Sequence, residues 1–438
     1  MRPDVIFALA SGAGRAAVAV IRLSGAGTGA VLTALAGSLP APRLATLRRL
    51  RHPVTNEVLD RALVLWFPMP RSYTGEDLAE LHLHGGPAVI AGVAEALVAS
   101  GARPAEAGEF TRRAFVNGKL DLTAAEGIAD LVAAETAAQR RQALRQADGA
   151  LALLYGGWAA RLTRLLARQE AFIEFEDEDL PPGLNDAVAS AATTLAAEIR
   201  SHLADGRQGE KLRDGVQVAI LGAPNAGKSS LLNALAGRDA AIVSARAGTT
   251  RDVVEARLDL GGVLVTLADT AGLREPGDEI EAEGVRRARQ CGLAADIVVT
   301  LFAADQVPDA ATLALIGPDT LVVASKTDLA LPQPSIGGVV PLGISARTGE
   351  GLDALRKRLA DAVASRAALT AEASLTRPRH RAALEEAVGW LVDLEQAGLP
   401  ELRAECLRAA ARAMGGITGR VGVEAVLDAV FREFCIGK

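Results

Sequence analysis

Residues 216–237 read VQVAILGAPNAGKSSLLNALAG. Five of the first six side chains are apolar, which suits a strand buried on both faces. A Gly222-Ala-Pro-Asn-Ala-Gly227-Lys228-Ser229 loop follows, and then a leucine-rich helix. Glycines in such a loop let backbone N–H groups close on phosphate oxygens at a helix N-terminus. Lys228 brings a point charge to the outer phosphates and Ser229 a hydroxyl for Mg²⁺. Strand, loop and helix stand in the order a phosphate loop needs, so the surrounding domain is expected to be a nucleotide-binding α/β fold.

Further motifs choose the base. LVTLADTAG (264–272) is a strand ending in Asp269, placed to hold Mg²⁺ through water, with Gly272 able to offer its N–H to a γ-phosphate. TLVVASKTD (320–328) ends a strand in Ser325-Lys326-Thr327-Asp328. A carboxylate there accepts from the ring N–H and the exocyclic amine of guanine, a pair adenine does not offer. Ser345-Ala346-Arg347 can bring a backbone amide to the guanine oxygen, and Thr249 and Thr250 in AGTTRD supply a hydroxyl for the metal. The usual guanine motif begins with asparagine. Ser325 replaces it and forgoes amide hydrogen bonds worth about 0.5–1.5 kcal/mol each, so weaker nucleotide binding with unchanged base choice is expected.

Hydrolysis requires something other than the usual water-holding glutamine, because Leu273 follows DTAG. The acidic turn after it offers Glu279, Glu281 or Glu283. No arginine finger is evident. Asn225 and the oxygen-rich segment SARAGTT (244–250) could instead cradle K⁺, which takes about six or more oxygens and would supply positive charge to the transferred group.

At 438 residues the chain exceeds what one hydrophobic core usually serves. A net charge of −6 argues against coating nucleic acid by bulk charge. Residues 1–118 mix short strands (VIFALA, AVAVIRL, ALVLWFP, AELHLH) with helical runs and read as an α/β domain. From about residue 119 to 211 long alanine-rich helical patterns take over, including LTAAEGIADLVAAETAAQRRQALRQADGALALL as one run. The nucleotide-binding pattern spans about 212–365, and helices return over 366–438. The simplest organisation is an α/β domain inserted into a helical one, whose two parts pack together because neither closes a core alone. Cys291, Cys406 and Cys435 form no disulfide framework, and no apolar run reaches the ~18 residues of a membrane span.

The chain ends FCIGK, with Cys435 fourth from the end. A prenylation signal wants two aliphatic residues and then a small or apolar one. Ile436, Gly437 and Lys438 break that pattern, so no membrane anchor is expected. Phe431 and Phe434 should dock the tail and place Cys435, while Cys291 and Cys406 lie in helical runs and read as core residues. His82 and His84 share a strand face without an evident third metal ligand, and EFEDED (174–179) reads as a solvated helix end rather than a Ca²⁺ loop.

The motifs GAPNAGKSSLLNALAGRDAAIVS, AGTTRD, DTAGLRE, SYTGEDLAELHLHGGP, AGEFTRRAFVNGKLDLTAAEGIADL and FCIGK together closely resemble the MnmE (TrmE) family of bacterial tRNA modification GTPases, end to end. The resemblance implies a folate-binding N-terminal domain, a helical domain and an inserted Ras-like P-loop GTPase domain. It also implies a cytoplasmic, K⁺-stimulated homodimer that works with the FAD-containing protein MnmG. Together they install a carboxymethylaminomethyl group on the wobble uridine of certain tRNAs. Nucleotide contacts are then expected at Asn225, Ala226, Gly227, Lys228, Ser229 and Ser230, and at Ser244, Ala245, Arg246, Ala247, Gly248, Thr249 and Thr250. They are also expected at Asp269, Thr270, Ala271 and Gly272, at Ser325, Lys326, Thr327 and Asp328, and at Ser345, Ala346 and Arg347. The resemblance puts K⁺ on Asn225, Ser244, Arg246 and Thr249, Mg²⁺ on Ser229 and Thr250, and the general base on Glu281. It puts 5-formyl- or methylene-tetrahydrofolate on Arg22, Glu80, Lys119 and Lys438, and makes Cys435 a catalytic thiol. A regulatory or ribosome-assembly switch is the competing reading. Such switches usually append a compact basic RNA-binding module, whereas this chain wraps its nucleotide domain in a folate-like domain and helices.

Overall fold

The computed structural model describes residues 4–174, 184–238, 255–269, 290, 292–367, 374–419, 427, 430–432 and 434–437. Two compact units emerge. One holds the described residues up to Ala129, Ala147–Ala159 and those from Met414 on; the other holds Asp130–Gln146 and the described part of Ala160–Ala413.

The first unit is built on six strands: β1 (Ile6–Leu9), β2 (Ala16–Ser24), β3 (Thr46–Arg51), β4 (Val58–Phe67), β5 (Leu78–Gly85) and β6 (Arg103–Pro104). They lie in the order β3-β4-β5-β2-β1-β6, antiparallel except for the β1–β6 pair. Alternation decides which face is covered. Ile21 and Leu23 on β2, Ala79, Leu81 and Leu83 on β5, and Val64 and Trp66 on β4 are buried in one cluster with Val31, Leu32 and Leu35 of helix Thr28–Ala36 and Val93 and Leu97 of helix Pro87–Ala99. The opposite face carries the cross-strand neighbours Arg22 and Glu80, with Leu47 63% and Leu63 44% exposed.

The chain's end belongs to the same unit. Phe431 and Phe434 are buried, as the sequence anticipated, with ring centroids 5.7 Å apart. They share a cluster with Leu122 and Ala125 of helix Leu122–Ala133. Ile436 then makes an antiparallel bridge to Ala107. Gly437 sits at φ +103°, and a Cβ there would stand 2.4 Å from the Leu9 carbonyl oxygen, so only glycine lets the tail lie against β1.

The second unit holds the other sheet: β7 (Val216–Leu221), β8 (Glu255–Leu260), β9 (Val263–Asp269), β10 (Ile297–Ala303), β11 (Leu321–Ser325) and β12 (Leu342–Gly343). The order is β12-β11-β10-β7-β9-β8, parallel except for the β8 edge. This is the inserted P-loop α/β domain the motifs called for. Helices Lys228–Arg238 and Leu352–Arg366 supply Leu231, Leu235, Leu355 and Leu359 to its core. The helices on either side of it in sequence pack together: Arg381 of helix Pro378–Gln396 donates to Glu210 Oε1 (2.9 Å), Asp205 Oδ1 (2.8 Å) and the Leu203 carbonyl (2.8 Å).

One expectation is corrected. The run from Leu122 is not one helix but three: Leu122–Ala133, Ala137–Ala147 and Ala150–Glu174, the last passing straight through Gly156 and Gly157. A capping box makes the first break. Thr136 Oγ1 accepts from the Gln139 amide (3.3 Å), and Gln139 Oε1 accepts from the amides of Glu135 (2.9 Å) and Thr136 (3.1 Å). Side-chain acceptors thereby satisfy N–H groups that a continuous helix would have bonded internally.

Candidate functional site

β7 lies between β9 and β10, and the loop after it opens at the carboxyl ends of these parallel strands, where open α/β sheets place their ligands. Asn225 sits in the left-handed region at φ +65°, a conformation asparagine tolerates better than most residues, and Gly227 at φ +94°. The turn carries the chain into helix Lys228–Arg238, so the first-turn N–H groups face the loop's concavity. Lys228 is buried. Its Nζ donates to the carbonyls of Gly222 (2.7 Å) and Ala223 (2.9 Å) and so arches over the loop. Ser229 and Ser230 stand exposed in the first helical turn. Asp269, last residue of β9, is in register with Ile220 of β7, one residue before the strand's end.

The elements expected to read the base lie at the same carboxyl edge of the sheet. Ser325 ends β11, opposite Ala303 of β10, and is 4% exposed. Its Oγ donates to the Ala226 carbonyl at 2.6 Å, with the Phe302 carbonyl a second acceptor at 3.3 Å. The short hydroxyl therefore ties the base loop to the phosphate loop. That tie is a role the comparison with asparagine at this position did not bring out. Lys326 is left-handed (φ +59°), with Nζ 3.4 Å from both Asp305 carboxylate oxygens. The Thr327 amide donates to the Ile344 carbonyl (3.1 Å). Ser345 is fully buried; its Oγ donates to Asp328 Oδ1 (2.7 Å) and accepts from the Thr348 amide (3.1 Å). Arg347 Nε lies 3.0 Å from Asp328 Oδ2. The Ser345 hydroxyl, with a backbone N–H and then the Arg347 charge adding to it, holds the Asp328 carboxyl below the usual carboxylate range. Ala346 lies between them, half-buried.

Other residues expected to contact nucleotide or metal lie outside the described residues: Ser244, Ala245, Arg246, Ala247, Gly248, Thr249, Thr250, Thr270, Ala271, Gly272 and Glu281. So do Glu279, Glu283, Cys291, Lys438 and most of the run 174–179.

A second candidate site occupies the other sheet face of the first unit, where Phe110 and Tyr73 cover Ile6 and Ala8 of β1. Arg22 Nε and Nη2 both donate to Glu80 Oε1 (3.1 and 2.9 Å), and the guanidinium lies 5.5 Å from the Tyr73 ring centroid and 6.0 Å from that of Phe110. A cavity of about 470 Å³ opens beside Glu80 and Tyr73, with Arg43, Arg71 and Lys119 along its wall. Lys119 Nζ donates to the Pro70 carbonyl (3.1 Å), and Arg43 lies 5.5 Å from the Phe67 centroid. Burial pushes the Tyr73 phenol up, so it stays a neutral donor to or acceptor from Thr111 Oγ1 at 2.8 Å. Arg22, Glu80 and Lys119 were singled out from the sequence as candidates; Tyr73, Phe110 and Arg43 were not, although Tyr73 stands within the quoted SYTGED stretch. His82 and His84 turn to carboxylates: His82 Nε2 lies 3.5 Å from Glu80 Oε2 and His84 Nδ1 2.7 Å from Asp60 Oδ1.

Of the described cysteines, Cys435 is exposed and Cys406 is buried, and burial pushes the Cys406 thiol up. No helix among the described residues is long and apolar enough to cross a membrane.

Two family models match this chain: the MnmE helical domain over residues 122–435 and the GTP-binding protein TrmE N-terminus over residues 5–119. Among similar proteins, the tRNA modification GTPase MnmE of Gluconacetobacter diazotrophicus is 62% identical over 436 residues, covering 99% of this chain and 98% of the relative. The protein of that name from Paramagnetospirillum magneticum is 57% identical over 440 residues, covering 99% and 100%.

Proposed function

The chain belongs to the MnmE (TrmE) family of tRNA modification GTPases, and from that membership we propose that it is a K⁺-stimulated GTPase coupling hydrolysis to wobble-uridine modification. It would add a carboxymethylaminomethyl group to C5 of uridine 34 of certain tRNAs, as a cytoplasmic homodimer acting with the FAD protein MnmG. The observation that carries this reading is the presence, in one chain, of a guanine-type phosphate loop and a cavity lined by a carboxylate, aromatic rings and basic groups.

The residues fit the groups they would hold. Ser229, in the first turn after the loop, would hold Mg²⁺ through its hydroxyl, and Asp269 ends the adjacent strand. Mg²⁺ there would neutralise phosphate charge, with Thr250 as its second protein hydroxyl. Asn225, held left-handed at the loop's apex, suits a K⁺ ligand shared with Ser244, Thr249 and the Arg246 backbone. Glu281 would orient the attacking water in place of the missing glutamine.

In the other unit, Glu80 can accept from the amide and amino edge of a pterin, Tyr73 can stack on its rings, and Lys119 with Lys438 suits a folate's glutamate carboxylates. The tail presents Cys435 in the same unit, a thiol for chemistry on the base. The exposed Leu47 and Leu63 on the open sheet face favour a second copy as cover.

Two measurements test the reading. GTP turnover should be severalfold faster in KCl than in NaCl. Mass spectrometry of tRNA nucleosides from a strain lacking the gene should show the uridine-34 modification absent and restored by this chain. Equal rates in the two salts remove the K⁺ assignment, and an unchanged uridine 34 leaves the switch reading in its place.

A further inference from the structure

We propose that the Arg347 side chain is a built-in competitor for guanine, so that nucleotide enters the base pocket by displacing it from Asp328. The inference rests on reading Asp328 as the guanine acceptor. The chemistry of the two partners is alike: C2 of guanine with N1, N2 and N3 is itself a guanidine, planar, with the N1–H and one N2–H parallel. Arginine's fork offers a carboxylate the same pattern. Ser345 Oγ fixes the Asp328 carboxylate through Oδ1 at 2.7 Å, and Arg347 Nε takes Oδ2 at 3.0 Å. Guanine needs both oxygens; each can accept a second bond, so Ser345 can stay on Oδ1, whereas the exposed guanidinium on Oδ2 competes with the base for the carboxylate's solvent-facing side.

The arginine is also poised to leave. Its side chain is 77% exposed, and among the described residues its one ion pair is to Asp328. The backbone of Ser345-Ala346-Arg347 is the segment expected to meet the guanine oxygen, so arrival of the base and departure of the side chain occur on the same three residues. An exposed ion pair of this kind contributes little, so occlusion lowers the competent fraction by about two- to fivefold rather than closing the site.

Stopped-flow binding of fluorescent GDP to the full-length chain tests this. Arg347→Ala should raise the association rate about two- to fivefold and leave the dissociation rate unchanged, because the bound state no longer contains the ion pair. Arg347→Lys, a point charge without the planar fork, should lie between. Unchanged or slower association, or an altered dissociation rate, overturns the proposal, since a nucleotide contact or a bystander would behave so. In an Asp328→Asn background the effect of Arg347→Ala should vanish, and its persistence also overturns the proposal. The underlying reading fails separately, if Asp328→Asn leaves the preference for GDP over ADP intact.

Discussion

Ser325 shows how a single atom changes meaning once its surroundings are known. From the sequence it is a shortened asparagine, and the expected consequence is lost affinity. In the fold its hydroxyl reaches the Ala226 carbonyl at 2.6 Å inside a nearly closed environment. Removing it leaves a buried acceptor unsatisfied, at a cost of about 1–3 kcal/mol. Ser325→Ala should therefore loosen the phosphate loop and weaken GDP binding by about tenfold or more, with the discrimination against ADP retained. Isothermal titration with both nucleotides checks this, and an affinity equal to the parent's would show that the tie between the loops is energetically idle. Asp328 is the complementary case. The order of motifs proposed it as the guanine acceptor, but its present partners, Ser345 and Arg347, could not be read there. A carboxylate's partners come from segments that sequence spacing does not bring together.

Among the elements, β7 and the helix after its loop were readable because a run of apolar residues and a glycine-rich turn leave few alternatives. The alanine-rich stretch from Leu122 was misread for the opposite reason. Alanine favours helix everywhere and marks no boundary, so the break fell to the weaker signal of Thr136 and Gln139 three residues apart. That box also anchors the second helix to the nucleotide-binding sheet. Gln139 Nε2 donates to the Arg213 carbonyl (2.9 Å), Ala138 enters the sheet's core, and Glu135 pairs with Arg257 of β8 (2.7 Å). Thr136→Ala should cost about 1 kcal/mol of local stability. Hydrogen exchange should report it as a roughly fivefold loss of protection across Ala137–Ala147, recovered in Thr136→Ser. Unaltered protection would mean that tertiary packing alone holds the helix start.

For the molecule as a whole, the fate of the FCIGK tail is the clearest lesson. Its aromatic residues announced that it would dock, but not where. The structure seats it by the Ile436–Ala107 bridge and the contact of Gly437 with Leu9, and the latter explains the glycine. Gly437→Ala forces a Cβ into that carbonyl and a left-handed conformation that alone costs about 1–2 kcal/mol. Tail amides should lose exchange protection and uridine modification should fall, while GTP turnover persists. A parallel loss of GTP turnover would refute this separation of the two activities.

The order of short motifs was enough to establish a guanine-type phosphate loop and an interrupted helical frame, because phosphate and guanine each demand a few residue types at fixed spacing along one strand–loop–helix unit. Folding was needed to settle which groups stand opposite one another: Arg22 with Glu80, Ser325 with Ala226, Arg347 with Asp328, Gly437 with Leu9. Such pairs join residues far apart in the chain, and their geometry follows from strand register and core packing rather than from any local pattern.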